Sequence, residues 1–243
     1  ITTPAEIDTA ISICIIVLQD ARDFMGSLVR DYLERNAIVG VEGLPVHCFL
    51  DLRAIQDAPT VIAERALARV VSLVSGTESG NTTAIRSICE RAKKLGRPAF
   101  NHPVVAPGSV IVYCDPYYAP DTREWLLICK EPGATHGTPI SPRQIQPGES
   151  VHWDSLHSVL VAGPDSIPDS SYALRTLTKK DWLEDGELAK AVKRVHPRLR
   201  HDILLLVRKG EIIWVPGLKL LRHPALGCTI WRHSDLLFQP AGV

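Results

Sequence analysis

The sequence predicts an α+β chain, with an N-terminal helical region followed by a small antiparallel β-rich part that carries a few helices. Three observations predict it. Residues 1–100 place apolar side chains three and four apart, the period of a helix. From about residue 101, short apolar runs alternate with Pro, Gly and Asp, the pattern of strands and turns. Helical spacing returns near 178–201, in segments rich in Lys and Arg. The implied division is 1–100, helical, and 101–243, β-rich with helices near 178–201.

Thr3-Pro4-Ala5-Glu6 is a helix start: Thr3 is placed to cap, Pro4 suits the first turn, and Glu6 can return to the cap amide. Ile11, Cys14, Ile15, Leu18, Leu28, Val29, Tyr32 and Leu33 follow at helical spacing. The apolar stretch 11–18, interrupted by Ser12, is too short to span a bilayer and reads as a core helix. Gly40 and Gly43-Leu44-Pro45 break the run, residues 46–50 read as extended, and Asp51 caps a brief helix ending near Asp57. Pro59 opens a second helix, with Ile62, Ala66, Val70 and Val74 on one face and Gly76 as its stop. A third helix starts after Thr82 or Thr83 and ends at Gly96. It turns Ile85 and Ile88 inward and Arg86, Glu90, Arg91, Lys93, Lys94 and Arg97 outward.

Beyond residue 101, Val104-Val105 and the runs 109–114, 125–130, 151–153 and 158–161 read as strands of one small antiparallel sheet. Pro107-Gly108, Asp115-Pro116, Pro147-Gly148 and Gly163-Pro164 separate them. Residues 179–183 and 187–195 read as helices, broken at Pro197. Residues 203–207 and 211–215 flank Lys209-Gly210 as a hairpin, and 228–232 with 236–238 read as another.

The 243 residues are 45% hydrophobic, enough for one large or two small cores, and the charged fraction of 22% is ordinary. A formal net charge of zero excludes a uniformly basic coat. The charge is unevenly placed: −5 over residues 1–60, −1 over 61–172 and +6 over 173–243. An acidic front and a basic tail predict a surface that meets polyanion on one side only. The six cysteines, at 14, 48, 89, 114, 129 and 228, contain no C-x-x-C pair and sit in apolar runs. They read as buried free thiols of a reducing compartment. The chain opens with Ile and has no basic region ahead of an apolar run, so it reads as an internal segment of a longer polypeptide.

Two candidate catalytic motifs fall short on physical grounds. Ser75-Gly76-Thr77-Glu78-Ser79-Gly80 is similar to a phosphate loop, but such a loop must follow a strand, and the run before it has helical spacing. It therefore reads as a helix–helix turn. His152, Asp154, Ser155 and His157 bunch on one short stretch, whereas a hydrolase triad brings such groups together from separate elements. No catalytic or metal-ligating residue is assigned.

The basic residues are the candidate binding set. Lys179, Lys180, Lys190, Lys193, Arg194, Arg198 and Arg200, with Arg86, Arg91, Lys93, Lys94 and Arg97 of the third helix, are expected to hold phosphates. Lys190, Lys193 and Arg194 stand three and four apart, so one helix face presents several charges. A row of fixed cations displaces counterions from a phosphate backbone, giving salt-dependent affinity without base specificity. His196, His201, Arg208 and Lys209 extend the set, and Trp182 and Trp214 are placed to stack on bases.

Four passages resemble, in order, the part of a tRNA(Ile)-lysidine synthase that follows its catalytic domain, in the alphaproteobacterial form. Leu67-Ala68-Arg69 through Ser75-Gly76, then residues 84–94, resembles the family's paired linker helices. Leu127-Ile128-Cys129-Lys130-Glu131-Pro132 resembles its strand ending in R-E-P, with Lys130 in place of Arg. Pro147-Gly148-Glu149 and Trp153-Asp154 resemble its P-G-x and W-D-G-R-F stretch, with Ser155, Leu156 and His157 replacing G-R-F. His196-Pro197-Arg198-Leu199-Arg200, residues 204–207 and Trp214-Val215-Pro216 resemble its closing segment.

The resemblance implies a protein whose upstream ATP-pyrophosphatase domain adenylates an anticodon cytidine, after which lysine displaces AMP. This chain would correspond to the later, tRNA-gripping domains. It implies no cofactor in this chain, ATP and magnesium being needed only where the upstream domain is present. The implied partner is tRNA or another structured RNA, with no membrane, in a bacterial cytoplasm or mitochondrial matrix. Two other readings stay open: a degenerate homologue that serves as a structural or assembly protein of a ribonucleoprotein such as a mitochondrial ribosome, and a scaffold that binds protein only.

Overall fold

The computed structural model describes residues 4–40, 44, 46–77, 82–114, 120–131, 143–152, 157–162, 172–222 and 227–232. Helix α1 (Pro4–Asn36) leads into strands β1 (Ala37–Val39) and β2 (His47–Asp51). Helix α2 (Leu52–Asp57) follows at once. Its first turn is closed by the Asp51 carboxylate, which accepts from the amides of Arg53 at 2.9 Å and Ala54 at 3.3 Å. Helix α3 (Thr60–Ser75) begins after Pro59 and stops at Gly76, whose φ of 72° suits a residue without a Cβ. Helix α4 (Thr82–Leu95) stops at Gly96.

Strands β3 (Val104–Ala106), β4 (Val110–Cys114) and β5 (Trp125–Lys130) complete a first antiparallel sheet, in the order β1-β2-β5-β4-β3. Its central ladder pairs β2 with β5, from His47 opposite Cys129 to Asp51 opposite Trp125. That ladder crosses the division drawn at residue 100, because the first hundred residues supply two of the five strands. Gly40 stands where β1 turns toward β2; its amide donates to the His47 carbonyl at 2.9 Å, and a Cβ there would run into the His47 ring.

The rest of the chain forms two more antiparallel sheets. Strands β6 (Arg143–Ile145), β7 (Ser150–His152), β8 (His157–Ala162) and β9 (Tyr172–Thr176) precede helices α5 (Lys179–Leu183) and α6 (Gly186–Lys193). A 3-10 turn, Pro197–Asp202, leads to β10 (Leu204–Arg208), β11 (Glu211–Val215), β12 (Leu220–Leu221) and β13 (Gly227–Arg232). The second sheet has the order β12-β11-β10-β9-β6 and the third β13-β8-β7. The β10–β11 hairpin turns at Lys209 and Gly210, both with positive φ, which matches the right-handed twist of its strands.

The strands expected to form one small sheet over 104–161 are thus divided between the first and third sheets, and alternation along the strands gives the reason. In β4, Val110, Val112 and Cys114 pack with α3 and α4, while Ile111 and Tyr113 pack with Leu188, Val192, Leu199 and Leu205 of the C-terminal half. In β10, Leu205 and Val207 face that same layer, while Leu204 and Leu206 meet Val159 and Val161 of the third sheet. Strands buried on both faces read as unbroken apolar runs, and each such run needs a layer on either side.

Helix α1 departs from expectation. It enters the core through Val29 and Leu33, whereas Ile11, Ile13, Ile15, Ile16, Val17 and Leu18 are exposed. The stretch 11–18 is therefore no core helix. At 33 residues α1 is about 50 Å long, while the 16-residue α3 beside it spans about 24 Å. No described helix is long and apolar enough to cross a membrane. Cys48, Cys89, Cys114 and Cys129 are buried free thiols and Cys228 is half-buried, but Cys14, on the protruding part of α1, is exposed.

Candidate nucleic-acid interface

Helices α5 and α6 are set by local chemistry. Asp181 accepts from the Thr178 amide and hydroxyl, both at 2.7 Å, which closes the start of α5. Its two oxygens also take a bidentate pair of bonds from Arg175 on β9, each 2.7 Å. Burial alone would raise this carboxyl, yet the bonds from Arg175 and Thr178 hold it at about 2. Asp185 caps α6, accepting from the amides of Glu187 and Leu188 at 3.1 Å, and is bonded to Arg222. The Arg222 bond, helped by those amides, keeps the Asp185 carboxyl below its usual range against the opposing effect of desolvation.

Helix α6 buries Leu188 and Val192 and turns Lys190, Lys193 and Arg194 to solvent. Lys179 and Lys180, at the start of the adjacent α5, are exposed too. None of these five has a carboxylate partner among the described residues. Lys190, Lys193 and Arg194 sit at the carbonyl end of α6, where cations are also favoured by the helix dipole.

The remaining members of the expected set are placed differently. Arg200 donates to the Val195 carbonyl at 2.9 Å and the Lys193 carbonyl at 3.1 Å, so it closes the end of α6. Arg198 is half-buried, its guanidinium 5.5 Å from the centre of the Tyr113 ring. Lys93 turns inward to bond the carbonyls of Gln56 at 3.1 Å and Ala58 at 2.5 Å, closing α2, where an outward side chain was expected. Arg86 meets Glu64 at 3.3 Å, Lys94 meets Glu90 at 3.5 Å and Arg97 meets Glu124 at 3.9 Å. Arg91 is exposed. Of the flanking groups, Arg208 lies 5.8 Å from the centre of the Tyr172 ring, Trp214 is buried, and Trp182 packs half-buried against the core; none of the three is a free stacking platform.

The twelve cations therefore form two groups. Those of α4 lie on the helical side of the first sheet, and those of α5 and α6 on its other side. Helical spacing could not reveal this, because it says which face of a helix is polar and nothing about which side of a sheet the helix covers.

Of the two motifs set aside, the first is described as far as Thr77, and of the second only the strand positions of His152 and His157 are described. Ser75 ends α3, donates to Ser72 at 3.1 Å and Thr77 at 2.9 Å, and accepts from the Thr77 amide at 3.1 Å, so the segment follows a helix. Glu78, Ser79 and Gly80 lie outside the described residues, as do Trp153, Asp154, Ser155 and Leu156 and residues 236–238. No cluster of three or more potential metal ligands exists among the described residues.

The fold and this surface define an α+β chain with three antiparallel sheets and exposed cations on α5 and α6. No protein-family model matches it, and no curated protein is significantly similar in sequence.

Proposed function

We propose that this chain binds structured RNA, tRNA foremost, through the basic surface of α5 and α6, as the post-catalytic region of a tRNA(Ile)-lysidine-synthase-like protein. The observation that carries the reading is the unmatched charge there: Lys190, Lys193 and Arg194 on one helix face, with Lys179 and Lys180 on the next helix, all exposed. The ordered passages from 67 to 216 support the family part of the reading. ATP and magnesium chemistry would reside upstream, and the role left to this chain is to hold the polynucleotide.

Filter binding of tRNA across a salt series tests the reading. Lys190→Glu, Lys193→Glu and Arg194→Glu combined should weaken binding at least about tenfold and reduce the slope of log affinity against log salt by roughly 2–3. Lys94→Glu, on the other side of the sheet, should change little. An unaltered slope in the triple variant would remove α6 from the interface. Lys130 and the 155–157 departures favour the degenerate-homologue reading. Lysidine formation by a polypeptide that includes the adenylating domain would exclude it.

A further inference from the structure

Arg30 of α1 and Arg69 of α3 lie close enough for their charges to interact where these helices pack. Both have a buried Nε without a hydrogen-bond partner, and neither makes an ion pair among the described residues. Burial, followed by the nearby charge of Arg30, lowers the proton affinity of Arg69. Both residues are half-buried, and two like charges brought together and partly withdrawn from water are unfavourable unless an opposite charge joins them. Three other arginines near this helical layer have such a partner: Arg86 has Glu64, Arg97 has Glu124, and Arg123 has Asp51 and Asp121. There is also room. Gly26 stands one turn before Arg30 on the same face, a Cβ there would meet nothing within 4 Å, and long helical side chains lean toward the preceding turn.

We infer that Arg30 and Arg69 form a two-pronged site for a phosphate group. Each guanidinium presents a planar fork of N–H donors, and a phosphate has enough oxygens to accept from both forks at once. The anion removes the repulsion and gives the buried Nε groups an acceptor. The site does not rest on the RNA reading, since it lies on the opposite side of the first sheet from α6.

Thermal unfolding in inorganic phosphate, against chloride and acetate at equal ionic strength, tests it. The wild-type midpoint should rise by about 2–4 °C in phosphate alone. Arg30→Gln and Arg69→Gln should each lose that rise while unfolding in chloride at or above the wild-type temperature, because the repulsion is gone. The inference is overturned if phosphate has no effect on wild type, if either variant keeps the full rise, or if acetate does as well as phosphate. The same holds if both variants are equally destabilised in every salt. In the tRNA assay, weaker binding by Arg69→Gln assigns the phosphate to an RNA backbone, and unchanged binding assigns it to a free phosphate or nucleotide. The α6 triple variant should keep the phosphate-dependent rise, so the two sites fail separately.

Discussion

The hydroxyl of Tyr113, on β4, lies against the imidazole of His196, at the head of the 3-10 turn that follows α6. It places a polar bond inside the apolar interface between the first sheet and the C-terminal half. The other imidazole nitrogen, Nδ1, accepts from the Arg198 amide at 3.1 Å, which orients the ring with Nε2 toward Tyr113. Tyr113→Phe keeps the ring packing and removes the hydroxyl that bonds the imidazole. The expected loss is about 0.5–1.5 kcal/mol, read as a lower urea midpoint with an unchanged slope. An unaltered midpoint would show that the bond contributes nothing to holding the halves together.

That pair also marks how far the sequence could be read. Asp51 and Pro59 open helices, and Gly76 and Gly96 close them, through local chemistry, and the structure bounds helices there. The β10–β11 hairpin was legible from Lys209-Gly210 for the same reason. Relations across layers leave no such local mark. His196 turns in toward a residue 83 positions away, and its neighbours Pro197 and Arg198 do not announce it. Lys93 and Arg200 read as outward cations, yet each closes the carbonyl end of a helix. The basic face of α6 was legible because amphipathic spacing is local; its separation from α4 by a sheet was not.

The Arg175–Asp181 pair predicts a pH dependence. The Asp181 carboxyl, which burial would raise, is held at about 2 by bonds from Arg175 and Thr178, below the ordinary value of about 3.9. A group depressed on folding stabilises above its unfolded pKa, and the contribution disappears as pH falls through the folded value. Asp181→Asn should therefore cost about 1–2 kcal/mol at pH 7, with screening by water allowed for, and the two proteins should converge between pH 4 and about 2. Urea unfolding at pH 7, 4 and 2.5 measures the convergence. A gap that stays constant would assign the effect to packing and not to charge.

Thiol reactivity should single out one cysteine. Cys14 is exposed, whereas burial pushes the Cys89 and Cys129 thiols up to about 12 and Cys228 up to about 11. Alkylation proceeds through the thiolate and needs access. At pH 8 the folded chain should show a single fast phase, absent from Cys14→Ser, with the buried thiols reacting after unfolding. A fast phase that survives Cys14→Ser would contradict the burial of the others.

Helix α1 offers a direct comparison of two leucines in one element. Leu33 is 1% exposed and packs against the helical core, while Leu18, four turns earlier, is 69% exposed. Leu33→Ala removes buried methyl groups and leaves a cavity, at a cost of about 2–5 kcal/mol. Leu18→Ala removes groups already in contact with water, so the expected change stays within about 0.5 kcal/mol. Denaturant midpoints of the two variants give the ratio. Equal losses would mean that the 11–18 stretch is covered in solution, by another copy or by more of the polypeptide, and a concentration-dependent loss for Leu18→Ala would point to the copy.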